Sequence, residues 1–185
     1  MNEGVPLIWV DCEMTGLNLA TDALVEVAVL VTDDALNPIG TGVEVVIKPP
    51  ATALAQMGDF VRQMHTDSGL LDLLEMGKSL SQAEELILEY LHSTGAPAGK
   101  APLAGNSLWL DRNFIARDLP RVNEFLHYRS VDVSSIKELA KRWYPKAYFS
   151  APEKNGNHRA LGDVYDSIAE LAHYRASIFR DLTAE

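Results

Sequence analysis

The chain has 185 residues, 47% of them hydrophobic, and 26 Asp and Glu against 16 Lys and Arg give a formal net charge of −10. That composition suits a globular protein with its own core, and residues 1–185 are read as a single domain. The acidic balance excludes a broad basic surface of the kind that grips long nucleic acid. If nucleic acid is a ligand at all, only a short piece in a local pocket fits, with cations neutralising its phosphates.

No apolar run is long enough to span a bilayer. The strongest, Ala23 to Val31, is short and contains Glu26, so no membrane partner is expected. Met1-Asn2-Glu3-Gly4 has neither a basic nor an apolar signal-peptide region. The single cysteine, Cys12, excludes an intramolecular disulfide and a Cys-rich metal site and fits a reducing cytoplasm.

Leu7-Ile8-Trp9-Val10 reads as a buried strand that ends in Asp11-Cys12-Glu13, just before the turn signal Thr15-Gly16. Side chains on a strand alternate faces, so Asp11 and Glu13 project together with Cys12 opposite. Adjacent carboxylates repel and resist burial unless a cation lies between them, whereas at a strand end in open solvent they cost little. The carboxyl end of a strand is also where α/β folds place ligands.

Leu24 to Val31 predicts a second strand, and Asp33-Asp34 and Asn37-Pro38 mark a turn. Gly42 to Lys48 predicts a third, closed by Pro49-Pro50, and the three make an antiparallel meander. Ala51 to Gly77 is short and broken in pattern, as in small helices. Ser79 or Ser81 can cap a helix with Ala83, Leu86, Ile87, Tyr90 and Leu91 on one face. Ala101 to Ser107 is a small-residue strand ending in a tight loop, followed by a helix with Leu110, Phe114 and Ile115 inward that stops before Pro120. Arg129 to Val133 is a fifth strand. Ser134 or Ser135 caps a helix to about Trp143, Tyr144 to Asn157 is a loop, and His158 leads into a final helix through Ile168, Leu171 and Ala172. Strands first, then strand–helix alternation, predicts an α/β fold with a mixed sheet and helices on both faces.

Two further acids stand at junctions. Asp111 falls in the first turn of the helix after Gly105-Asn106-Ser107, and Asp163 lies early in the last helix, five residues after His158. Each alone reads as an ordinary partner of a helix dipole, and His158 as a loop histidine. The ordered set is more specific: D-x-E on the first strand, a downstream Asp at a strand–helix junction, and H-x4-D opening the last helix. It resembles the DEDDh family of 3′–5′ exonucleases. Trp9 to Leu17, Gly105-Asn106-Ser107, His127-Tyr128-Arg129, Asp132-Val133-Ser134 and Lys137-Glu138-Leu139-Ala140 are similar to its oligoribonuclease branch, and the similarity runs from about Leu7 to Tyr174.

The resemblance implies a ribonuclease H-like mixed five-stranded sheet flanked by helices. It implies a metal-dependent exoribonuclease that degrades RNAs of two to a few residues to 5′ mononucleotides. It assigns Asp11, Glu13, Asp111 and Asp163 to two divalent ions, Mg²⁺ or Mn²⁺, with Asp11 shared, and makes His158 the general base. The chemistry suits these residue types. Phosphodiester cleavage needs an activated water and a stabilised leaving oxygen, and two cations roughly 3.5–4 Å apart can supply both. Carboxylate oxygens suit hard cations, and imidazole accepts a proton near neutrality.

The same resemblance makes Leu17 a base wedge and Phe60 a stacking ring, at a place where the family often carries Trp. It has Tyr128 closing over a base and makes His65, Ser107, Arg129 and Ser134 donors to a terminal phosphate. It also implies a homodimer in which the His-Tyr-Arg segment reaches the partner's site. Asp118, Asp132 and Asp166 could be mistaken for ligands; Asp132 reads as structural, beside a helix cap. Competing readings are a proofreading or RNA-trimming exonuclease of the same superfamily, which would want a basic track, and a catalytically silent nucleotide-binding module, against which all five catalytic positions are intact. Trp109 is bulkier than expected after Gly-Asn-Ser.

Overall fold

The computed structural model describes residues 4–153 and 159–179. Strand β1 (Leu7–Met14) is the centre of a five-stranded sheet. On one side β2 (Leu24–Thr32) and then β3 (Pro38–Val46) add antiparallel; on the other β4 (Pro102–Gly105) and then β5 (His127–Asp132) add parallel, giving the order β3-β2-β1-β4-β5. β2 is buried at all nine positions, because helices cover both sheet faces there, and this is why its sequence is apolar but for Glu26 and Thr32. β3 begins at Pro38, four residues before the expected Gly42. It is an edge strand, buried only at Val45, with two positive-φ glycines that blur its alternation.

The segment after β3 folds into α1 (Ala51–Ala55), α2 (Asp59–Asp67) and a 3-10 turn at Leu71–Met76. Helix α3 (Leu80–Ser93) opens on a capping box between Ser79 and Gln82. It buries Ala83, Ile87 and Leu91 as expected, but Leu86 is 39% exposed. The Tyr90 hydroxyl accepts from the Val31 amide and donates to the Ile39 carbonyl, pinning this helix to the β2–β3 hairpin.

Helix α4 (Trp109–Asp118) ends before Pro120, which opens a further short helix, α5 (Pro120–Phe125). Helix α6 (Val133–Trp143) is capped by Asp132, whose carboxylate accepts from the Ser134 amide; neither Ser134 nor Ser135 is the cap. A short α7 (Pro145–Phe149) interrupts the expected loop, and α8 (Ala160–Ile178) closes the fold.

Alternation along β1 divides the core. Ile8, Val10 and Cys12 face α3, α4 and α5, whereas Trp9 faces α6 and α8 with Ala28, Leu30, Val164 and Leu171. Trp9 is fully buried, and its Nε1 donates to Thr32 Oγ1 at 2.9 Å. Among the described residues no helix is long and apolar enough to cross a membrane.

Candidate active site

Asp11 and Glu13 continue the Trp9 face of β1, the face against which α8 packs. Asp163 sits in the first turn of α8, and one oxygen from each of Asp11, Glu13 and Asp163 lies within 4.8 Å of the other two. Asp111, in the first turn of α4, comes from the other side: its Oδ1 accepts from the Cys12 amide at 3.0 Å, between the paired acids in the chain. The β1–β2 register slips between Glu13 and Met14, so the regular ladder ends where the acids stand.

A second charged group holds α8 in place. Glu26 is directly opposite Glu13 in the register and fully buried. Arg159 donates to Glu26 from Nη2 at 2.7 Å and from Nε at 3.0 Å, and to Glu44 from Nη2 at 3.0 Å. The Ala160 amide donates to Glu26 at 2.9 Å and the Leu161 amide to Glu44 at 3.0 Å. Two strand carboxylates thereby satisfy free N–H groups of the first turn of α8, and Arg159 balances their charge. Asp163 is carried on the turn so fixed.

The β4–α4 loop lies directly on β1. A Cβ at Gly105 would stand 2.7 Å from the Val10 carbonyl oxygen, which only glycine avoids. Ser107 adopts φ 55, and Asp132 supports the turn by accepting from the Ser107 amide at 3.1 Å and the Leu108 amide at 3.1 Å.

Burial pushes the Glu13 carboxyl up to about 8, with Asp163, Glu26 and Asp111 adding to the rise and Arg159 opposing it. Burial likewise lifts Asp111 to about 6 against the hydrogen bonds it accepts. The Cys12 thiol is pushed well above its usual range, first by burial and then by Asp111, which leaves it an inert core thiol. Carboxylates held this close, with Glu13 and Asp111 buried, fit divalent cations: a positive charge between their oxygens offsets both repulsion and burial.

This has a measurable consequence. The folded Glu13 carboxyl titrates near 8 against an ordinary 4.5, so its contribution to stability is most favourable below about 4.5 and is lost as the pH rises through about 8. Glu13→Gln is therefore expected to stabilise the protein in EDTA at pH 8 to 9, on the order of a few kcal/mol, with no gain at pH 4. Denaturant titrations at both pH values check this; an equal or absent gain at the two would contradict the electrostatic picture. Divalent ions should stabilise the parent more than the Gln variant.

The other sequence-predicted residues occupy different settings. Leu17 is 72% exposed, Phe60 82% and Tyr128 73%, so all three present apolar surface to solvent. His65 is fully buried; its Nε2 lies 2.9 Å from the Met14 carbonyl and its Nδ1 3.9 Å from Glu13 Oε2. The Ser107 and Ser134 hydroxyls are 3.1 Å apart. Arg129 is exposed on β5, with its guanidinium 5.4 Å from the Tyr128 ring centre. Tyr128 shares a groove with Trp109, Arg112, Asn113 and Ser130, which gives Trp109 a setting. His158 lies outside the described residues.

Asp118 pairs with Arg117, Asp132 serves as the cap, and Asp166 is buried on α8. A larger apolar groove, bordered by Leu19, Ala23, Pro49, Leu80 and Arg117, includes none of the four carboxylates. The sequence reading missed Glu26, Glu44 and Arg159; the available signal was Glu26, a lone acid inside the apolar run Leu24 to Val31.

The RNase_T family model, described as Exonuclease, matches residues 8–171. The oligoribonuclease of Streptomyces griseus is 60% identical over 173 residues, covering 94% of this chain and 86% of the relative. Those of Cutibacterium acnes and Mycobacterium avium are 57% identical over 169 residues and 52% identical over 174, covering 91% and 94% of this chain and 84% and 81% of theirs. Among solved structures, the zinc-bound E. coli exonuclease I complex with single-stranded DNA aligns with a TM-score of 0.73 at 16% identity. Exonuclease I of Methylocaldum szegediense aligns with a TM-score of 0.65 at 22% identity. Each of these two matches covers 94% of this chain but spans only 41% of the other, and at such identities the likeness concerns the fold, a ribonuclease H-like mixed sheet. With relatives this similar over nearly its whole length, the chain belongs to the exonuclease family, in its oligoribonuclease group.

Proposed function

We propose that this single exonuclease domain is a 3′–5′ exoribonuclease that degrades RNAs of two to a few residues to 5′ mononucleotides. The observation that carries the reading is the meeting of Asp11, Glu13 and Asp163 within 4.8 Å, beside Asp111, in a chain 60% identical to an oligoribonuclease. Asp11, Glu13, Asp111 and Asp163 would hold two divalent cations, Mg²⁺ or Mn²⁺, with Asp11 shared. Bound there, such ions lower the pKa of a water and neutralise charge on the scissile phosphate. His158 takes a proton from the attacking water. The water oxygen bonds to phosphorus, the bond from phosphorus to the 3′ oxygen of the preceding residue breaks, and that oxygen acquires a proton. The terminal residue leaves as a 5′ monophosphate.

Recognition of the short substrate is assigned to exposed Leu17, Phe60, Tyr128, Ser107 and Arg129, half-buried Ser134 and buried His65. Leu17 wedges against a base, Phe60 stacks on one, and Tyr128 closes over another. Ser107 and Arg129 donate to a terminal 5′ phosphate, with Arg129 suited to bidentate contact, and Ser134, whose hydroxyl donates to Asn106 Oδ1 at 3.0 Å, stands beside Ser107 at the same end. His65 belongs to this donor set only through Nδ1, because its Nε2 faces the Met14 carbonyl; as a phosphate donor it must carry a proton on Nδ1.

We further propose a cytoplasmic homodimer in which Tyr128 and Arg129 act on the partner's site. Supporting this, β5 is an edge strand, and exposed Trp109 and Tyr128 line one groove beside it, aromatic groups of the kind that protein interfaces cover. Cytoplasmic residence rests on the single buried thiol Cys12 and is checked by cell fractionation; recovery from an exported fraction would contradict it.

Arg129→Ala is expected to weaken binding of a 5′-phosphorylated dinucleotide about 10–100-fold, the effect of losing a charge-assisted hydrogen bond, while binding of long RNA changes little. Mixing an Asp11→Ala chain with an Arg129→Ala chain should restore activity, because one site of the heterodimer then has intact acids and the partner's Arg129. Absence of rescue after verified subunit exchange would confine Arg129 to its own chain, and an equal loss for all RNA lengths would contradict recognition of the terminal phosphate.

A further inference from the structure

A chain of hydrogen bonds runs from the turn of α8 that bears Asp163 to the two serine hydroxyls of the β4–α4 loop and α6. Ser167 Oγ, buried, donates to the Asp163 carbonyl oxygen at 2.8 Å. With its only proton committed there, Ser167 can only accept from Asn106, whose Nδ2 stands 2.8 Å away. That fixes the orientation of the Asn106 amide, and its Oδ1 therefore faces Ser134 Oγ, which donates to it at 3.0 Å. Ser134 has then used its own proton. Toward Ser107 Oγ, 3.1 Å away, it offers only lone pairs, so Ser107 is the hydroxyl of the pair whose proton remains to be directed. Asp132 holds both serines from behind, accepting from the Ser107 amide at 3.1 Å and the Ser134 amide at 2.9 Å.

We propose that Asn106 is a specificity-determining positioning residue for a terminal phosphate monoester: its amide sets the proton order of the Ser134–Ser107 pair and ties that pair through Ser167 to the helix turn of Asp163. The inference rests on the reading above that Ser107 and Ser134 face the terminal phosphate. Asn106 supplies no group to the reaction. A phosphate oxygen arriving at the pair meets hydroxyls already aligned, and their alignment depends on a side chain anchored to the same turn that carries a candidate metal ligand. Breaking the chain at either Asn106 or Ser167 lets the hydroxyls rotate, and the preference for a phosphorylated end falls.

The test compares kcat/KM for a 5′-phosphorylated dinucleotide with that for the same dinucleotide ending in a 5′ hydroxyl. The ratio of the two is expected to fall about tenfold in Ser167→Ala and in Asn106→Ala, with most of the change in KM for the phosphorylated substrate. Ser167→Thr, which keeps the hydroxyl, should retain the parent ratio. Thermal unfolding verifies that each variant is folded, and if Asn106→Ala is not, Ser167→Ala, which lacks a single oxygen, decides alone. A parent that prefers the phosphorylated end, together with an unchanged ratio in folded Ser167→Ala, overturns the role of Asn106 and leaves phosphate recognition standing. A parent indifferent to the terminal phosphate overturns the underlying reading and this inference with it. A fall in Ser167→Thr equal to that in Ser167→Ala overturns the assignment to the hydroxyl.

Discussion

Alanine at Asp11 or Asp163 is expected to lower turnover by more than about 10⁴-fold, because on the proposed reading each would remove an anionic ligand from a metal centre that lowers the barrier by several kcal/mol. The fold should survive. Asp11, Glu13 and Asp163 crowd within 4.8 Å, and Asp163 is the largest charge contribution to the raised Glu13 carboxyl, so its removal relieves repulsion in the metal-free protein. Loss of activity with retained or increased unfolding temperature in EDTA is the expected signature. Asp111→Ala should be comparably inactive but less stable, since the buried Cys12 amide then loses the Oδ1 it donates to. Turnover within tenfold of the parent in a folded Asp11→Ala or Asp163→Ala protein would contradict the metal centre.

His158→Ala is expected to lower the chemical step by about 10²–10⁴-fold, the usual contribution of a positioned base. The loss is smaller than for the carboxylates because a cation-bound water is already acidic and needs only a modest base. The neighbouring residue in the chain, Arg159, is anchored to Glu26 and Glu44, so the stretch next to His158 leads directly into the turn of Asp163. Single-turnover rates should also lose their inflection near neutral pH, where imidazole titrates. An unchanged rate and pH profile would remove His158 from the mechanism.

The parts of the molecule that could be read from sequence are those whose physical cause is local. β1 and its paired acids follow from alternation alone, and so does the burial of Cys12 on the opposite face. β2, apolar but for Glu26 and Thr32, could be placed from its run of buried-strand residues. Asp111 and Asp163 are different. Periodicity marks them only as acids near helix starts, and their convergence on β1 is a property of chain crossing, visible in sequence only through the ordered motifs of a family.

Glu26 shows the limit most clearly. A lone acid in an apolar strand demands a partner, but Arg159 is distant in the chain and no local pattern joins them. The short helices α5 and α7 span too few residues to establish a period. The cap of α6 fell to Asp132 because its carboxylate can serve the β4–α4 loop and the helix together, a demand that neither Ser134 nor Ser135 shows in isolation. His65 was grouped by resemblance with the phosphate donors, whereas its burial against Glu13 is a tertiary fact.

Selection of very short RNA is tested most directly by kcat/KM across a ladder of 5′-labelled RNAs, from the dinucleotide upward, in Mn²⁺ and in EDTA. The net charge of −10 disfavours a long strand, and on the proposed reading the donors serve a terminal phosphate. The expected result is loss of residues from the 3′ end only in Mn²⁺, with the dinucleotide favoured over long strands by about 10²-fold or more. Equal kcat/KM for the dinucleotide and for long strands would contradict length selection and return the protein to the general exonucleases of its fold.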